Sequence, residues 1–166
     1  VRDGKEIPFT CERRAVKTLS VTYPVFGGSG NVGVIRLTEF NSTTPEQFKN
    51  AVSKLKDDGC DRFVFDLRNN GGGELNSILE VLDYLLPEGP IAHIYYRTGK
   101  ESHYTSDAAC LEARVAVLTN GRTASAAELF TSALRDYTRH GDYDAVLVGT
   151  KTYGKGVLCL LYTSDA

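Results

Sequence analysis

The feature that most constrains this chain is a short apolar run, Phe63-Val64-Phe65, that passes through Asn69-Asn70-Gly71-Gly72-Gly73 into a leucine-rich stretch. Asp61 to Asp66 reads as a buried strand. Leu75, Ile78, Leu79, Leu82, Leu85 and Leu86 then form the apolar stripe of a helix that Pro87 ends. Three successive glycines cost chain entropy on folding, so they call for positive φ or for a close approach of backbone to something else. Backbone N–H groups left unpaired at such a junction can face an oxyanion or a phosphate. The same residues also make a plain tight turn. The triplet is neither G-x-G-x-x-G nor a P-loop, and by itself it leaves both readings open.

A second strand-to-helix junction follows at Leu118-Thr119-Asn120-Gly121-Arg122-Thr123-Ala124-Ser125-Ala126-Ala127-Glu128, between a strand over Val115 to Leu118 and a helix over Ala124 to Tyr137. A serine in the first turn of a helix lies in the positive end of its dipole, and the small residues around Ser125 admit a polypeptide backbone. A serine, threonine or asparagine at this place is more commonly an N-cap. Asn120 and Thr123 can supply the capping here, which leaves Ser125 without a structural task.

A nucleophilic serine needs a base. His93, His103 and His140 fall in an apolar strand, a polar loop and a glycine-flanked loop. Of the three only His140 is a candidate, in a setting typical of a surface histidine. The other candidate is a lysine held neutral by burial, and Lys155 in Thr152-Tyr153-Gly154-Lys155-Gly156 has glycines on both sides that would let it enter a cleft.

Elsewhere the periodicity predicts strands over Val32 to Leu37, Ile91 to Arg97 and Ala145 to Val148. It also predicts a helix from Pro45 to Gly59 and a polar loop from Arg97 to Glu112. Strands alternating with helices argue an α/β architecture. Residues 1–31 are a half-polar lead with candidate strands at Cys11 to Val16 and Leu19 to Val25, bounded by Gly27-Gly28-Ser29-Gly30-Asn31. With 42% hydrophobic and 24% charged residues in 166, disordered and fibrous classes are excluded. A formal net charge of -2 and no run of five like charges give no sign of a nucleic-acid partner. No apolar window is long enough to span a membrane, and neither a membrane span nor a signal peptide is expected within these residues. The chain starts at Val1 and contains no Met, so a fragment is expected. The four cysteines lie 49 or 50 residues apart, which speaks against a zinc site built on them. No metal and no cofactor are expected.

Three co-ordered motifs resemble the C-terminal processing (tail-specific) serine peptidases, whose core is a crotonase-like α/β fold of the kind shared with the Clp protease. Phe65 to Gly73 resembles the family's strand and oxyanion loop, Thr123 to Glu128 its nucleophile motif, and Thr152 to Gly156 its general-base motif. The resemblance runs from about Val32 to Val157. It implies Ser125 as nucleophile, Lys155 as general base, and an oxyanion hole from the N–H groups of Ala126 and Gly72, with Glu128 and Asp136 as supporting acids. It further implies a serine endopeptidase that cleaves near the C-termini of unstructured or misfolded polypeptides, without cofactor, in the bacterial cell envelope or periplasm.

Residues 1–31, with Cys11 to Val21, resemble the segment joining a PDZ domain to the peptidase core. The resemblance implies a PDZ domain that lies outside these 166 residues. Residues 32–158 are expected to be a partial peptidase core. Arg139 to Asp144 makes the connection to Lys155 longer than is usual in the family and reads as a surface loop insertion. Cys159 stands where the family usually has Gln. Residues 159–166 resemble the translation of a sequencing-library transposon end, so they are expected to be a non-native scar and the chain as printed to be inactive. Two rivals share the fold: a non-catalytic module that binds hydrophobic ligands, and a crotonase-type acyl-CoA enzyme. Ser125 and Lys155 speak against the first, and the nucleophile motif against the second.

Overall fold

The computed structural model describes residues 4–13, 18–23 and 31–157. The elements run β1 (Val21–Thr22), β2 (Val32–Leu37), α1 (Thr44–Asp57), β3 (Arg62–Asp66), α2 (Leu75–Leu85), β4 (Gly89–Tyr95), β5 (Glu101–Ser106), β6 (Arg114–Thr119), α3 (Ala126–His140) and β7 (Ala145–Gly149). Five strands form one sheet in the order β1-β2-β3-β6-β7, and β4 and β5 form a separate two-stranded sheet. Strands β2, β3, β6 and β7 are mutually parallel, with Ile35 opposite Phe65, Phe65 opposite Val117 and Val117 opposite Leu147. This is the mixed α/β architecture that alternating strands and helices predict.

Parallel neighbours need crossover connections, and the three helices provide them. Phe65 is fully buried and lies 5.2 Å from Phe48 of α1 and 5.8 Å from Phe130 of α3, ring centre to ring centre. Both helices therefore flank the same face of β3. Pro45 and Glu46 stand in the first turn of α1, where a missing N–H costs nothing and a negative charge meets the positive helix end. Gly141 closes α3 in the left-handed conformation at φ 86°.

Because β3 and β6 are adjacent and parallel, with Asp66 opposite Leu118, the two strand-to-helix junctions leave the sheet side by side at its carboxyl edge. Ligand sites of open parallel sheets form at such edges.

Four readings change. The predicted loop from Arg97 to Glu112 contains β5, whose outward positions Glu101, His103 and Thr105 are exposed and polar, so a strand solvated on one face looked like a loop. Helix α3 begins at Ala126, two residues later than its apolar stripe predicts, which makes Ser125 the N-cap position itself. Arg139 and His140, read as loop, complete α3 instead. In the lead, the strand over Leu19 to Val25 shrinks to Val21–Thr22 among the described residues, and Cys11 to Arg13 form none. Val25, Gly27 to Gly30, Ala15 and Val16 lie outside the described residues, as do positions 158 onward. The short β1 pairs antiparallel with β2, and the Gln47 side chain of α1 accepts from the N–H groups of Ser20 and Val21 while donating to Thr18 O. Residues 18–22 are thus tied to the core sheet and the first turn of α1.

Phe65 joins α1, β3 and α3 in one contact, so Phe65→Ala should lower stability by about 3–5 kcal/mol. Urea unfolding followed by circular dichroism measures it, and a loss under about 1 kcal/mol would contradict this role.

Candidate active site

The glycine loop and the serine junction meet where only glycine fits. A Cβ on Gly72 would lie 2.7 Å from the Ser125 Cβ and 2.9 Å from both Ala124 O and Ala126 N, and Gly72 has φ +105°. Its neighbour Gly73 runs against Phe40, whose N–H donates to Gly72 O at 2.9 Å and whose O accepts from Glu74 N–H. The cost of the glycine run is therefore offset by two close backbone approaches, one to Phe40 and one to the nucleophile candidate.

The junctions are also laced by side chains. Leu67 N–H donates to Leu118 O, continuing the ladder beyond β3, and the Thr123 hydroxyl donates to Leu67 O at 2.9 Å. Asn69 and Asn120 exchange two bonds, Asn69 N–H to Asn120 Oδ1 and Asn120 Nδ2 to Asn69 Oδ1. Asn70 is fully buried: its Nδ2 donates to Leu37 O, its Oδ1 accepts from Gly72 N–H at 2.8 Å, and its carbonyl accepts from Ala124 N–H. It thus ties β2, the glycine loop and the residue before Ser125 together. Asp66 at the end of β3 is buried and takes a two-pronged pair from Arg68 (both bonds 2.8 Å), which holds its carboxyl below the usual range despite burial.

Ser125 is half-buried, with φ 56° and ψ -119°. A non-glycine residue in this region stores about 1–3 kcal/mol of strain, and such strain concentrates at functional positions. Two bonds hold it there, from Ser125 N–H to Glu128 Oε2 at 2.9 Å and from Ala124 N–H to Asn70 O at 2.9 Å. Among the described residues the buried Ala126 N–H, the first of α3, has no hydrogen-bond acceptor.

Glu128 reaches both ways. One carboxylate oxygen takes Ser125 N–H and Lys155 N–H (3.0 Å), and the other takes Gly154 N–H. Burial pushes this carboxyl up, but the N–H donors of Gly154, Lys155 and Ser125 and the Thr152 hydroxyl outweigh it and hold it below its ordinary value of 4.5. Tyr153 N–H donates to Thr123 O at 2.9 Å, so the segment after β7 is fastened beside the serine at two points.

Matching against known families now places the chain: residues 31–164 fit the family described as Peptidase family S41. The chain belongs to that family. It is 34% identical over 164 residues to the carboxyl-terminal-processing protease of Synechocystis sp. (strain ATCC 27184 / PCC 6803 / Kazusa), covering 96% of this chain and 37% of that protein. It is 35% identical over 162 residues to the "Probable CtpA-like serine protease" of Staphylococcus aureus (strain bovine RF122 / ET3-1), covering 95% and 31%. Its fold superposes on the solved photosystem II D1 C-terminal processing protease with a TM-score of 0.70 and 30% identity, over 86% of this chain and 39% of that one. The chain spans about a third of the length of the curated relatives it matches. The core is thus of the crotonase and Clp-like kind that the motifs imply.

Within this S41 core the expected residues divide. Gly72, Ser125, Ala126 and Glu128 come together, and the backbone of Lys155 joins them through Glu128. The Lys155 side chain is exposed, so the cleft that would neutralise it by burial is not formed by the described residues. The Gly72 N–H is engaged by Asn70, and it must leave that acceptor before it can serve an oxyanion. Asp136 does not support the site: it lies eleven helix positions from Ser125, about 16 Å along α3, and its exposed carboxylate pairs with Arg135 at 3.0 Å. Position on the right helix alone does not bring an acidic side chain to the site; its distance along the axis decides. His140 ends the same helix, farther still from Ser125. Asn70 is the residue that motif reading overlooked, although it stands directly before the glycine triplet.

Glu128 also sets a pH signature. A carboxyl held below its unfolded value contributes stability above that value and loses it as pH falls through the folded one. The chain should therefore melt higher than Glu128→Gln at pH 7, and the difference should close as pH falls below about 4.5. Equal melting temperatures at pH 7 would show that the carboxylate does not hold the junction.

Proposed function

We propose that this chain is the catalytic core of a serine endopeptidase that cuts polypeptides near their C-termini through an acyl-enzyme, with Ser125 as nucleophile and Lys155 as general base. The observation that carries the reading is the strained Ser125 backbone packed on Gly72, with Glu128 joining it to the Lys155 segment. Ser125 Oγ attacks the scissile carbonyl carbon and its proton passes to the Lys155 amine. The carbonyl oxygen takes up the negative charge and accepts from Ala126 N–H and, once released from Asn70, Gly72 N–H. The intermediate collapses as the lysine returns the proton to the leaving amine, and the neutral Lys155 amine then deprotonates a water that hydrolyses the ester and returns the proton to Ser125 Oγ.

Lys155 must be neutral to accept a proton, and withdrawing an amine from water favours its neutral form. A bound substrate strand or further parts of the full-length protein would have to cover it, so the 166-residue chain alone is expected to be inactive. The substrates are unstructured or misfolded chains, whose ends can lie along the carboxyl edge of the sheet. A PDZ domain preceding residue 1 and export to the bacterial envelope complete the reading.

Hydrolysis of an unstructured polypeptide by the full-length protein tests it. Ser125→Ala should lower turnover by about three orders of magnitude or more while changing stability by about 1 kcal/mol at most. Lys155→Arg should be as inactive as Lys155→Ala, because arginine stays protonated, and the parent rate should rise from neutral toward mildly alkaline pH. Turnover within tenfold of the parent in Ser125→Ala, or an active Lys155→Arg, would overturn the assignment.

A further inference from the structure

The β4–β5 hairpin lies outside this site and carries three metal-binding side chains on one face. His93 and His103 are direct cross-strand partners, and Glu101 lies two residues before His103, hence on the same side of the pleat. All three are exposed, and the two imidazoles are 3.7 Å apart, ring centre to ring centre. Glu101 Oε2 lies 3.0 Å from His93 Nε2 and 3.6 Å from His103 Nε2, and the three residues offer ligand atoms all within 4.8 Å of one another. Bonds of about 2.0–2.1 Å from a tetrahedral zinc place its ligand atoms about 3.3 Å apart. The two measured separations bracket that value.

We propose that this face of the hairpin binds a first-row transition-metal ion of the zinc class through His93, Glu101 and His103. Two imidazoles and one carboxylate suit zinc, copper or nickel, whereas calcium and magnesium take oxygen donors. Three protein ligands leave at least one position for water. Along the chain these residues form no zinc signature, because the site depends on pairing across the hairpin. The ion would clip β4 to β5, and the hairpin in turn packs against α2 and α3, the helices that leave the glycine loop and Ser125. Binding to the folded state alone would raise the melting temperature with ion concentration.

The test uses the 166-residue chain freed of metal with a chelator, titrated with Zn²⁺ alone by calorimetry and with Co²⁺ by visible absorption. The expected result is one ion per chain, Co²⁺ ligand-field bands without thiolate charge transfer, and affinity about tenfold or more weaker in each of His93→Gln, Glu101→Gln and His103→Gln. His140→Gln should bind like the parent. The three side chains are exposed, so urea midpoints without metal should stay near the parent's and separate lost binding from lost folding. No binding, undiminished binding in His103→Gln, or a thiolate band placing the ion on a cysteine would overturn the proposal.

Discussion

The contact on which the site depends is the approach of the Gly72 backbone to Ser125, so close that a single added methyl would meet the Ser125 Cβ at 2.7 Å. It accounts for the glycine at φ +105°, and it requires that β3 and β6 be neighbours running the same way. Only then do a loop from one strand and a helix start from the other arrive at one point. Phe48, Phe65 and Phe130 secure it from below, by fixing α1 and α3 on one face of β3.

A positive φ at Ser125 costs about 1–3 kcal/mol, and a chain tolerates this only where surrounding bonds determine the conformation. Asn70 and Glu128 supply them from opposite sides. Asn70 is buried among backbone groups and holds the loop; Glu128 sits half-buried and holds both Ser125 and the segment of Lys155. The first is a neutral hydrogen-bonded network, the second a carboxylate whose charge is stabilised by N–H donors. The two differ in their response to acid, since only Glu128 titrates.

Much of this was legible in the residues. The buried run ending at Asp66, the glycine triplet and the small residues around Ser125 each imply a local geometry, and their order along the chain matches one fold. What was not legible depends on contacts between distant segments. Strand β5 reads as loop because its polar residues face water and its apolar partners are on another strand. The start of α3 was placed early because Ala124 and Ser125 fit a helix as well as the turn before it. Asp136 lies on the right helix but at the wrong height, and Asn70 shows its role only once Leu37, Gly72 and Ala124 surround it. His93, Glu101 and His103 look unrelated until the hairpin is folded.

The claim that the strained junction makes Ser125 a nucleophile is tested most directly by treating the full-length protein with a fluorophosphonate and locating the adduct by peptide mass spectrometry. The account predicts one adduct per chain, on Ser125, formed much more slowly in Lys155→Ala and absent after denaturation. A protein that takes up no label, or that is labelled at another serine, would contradict it.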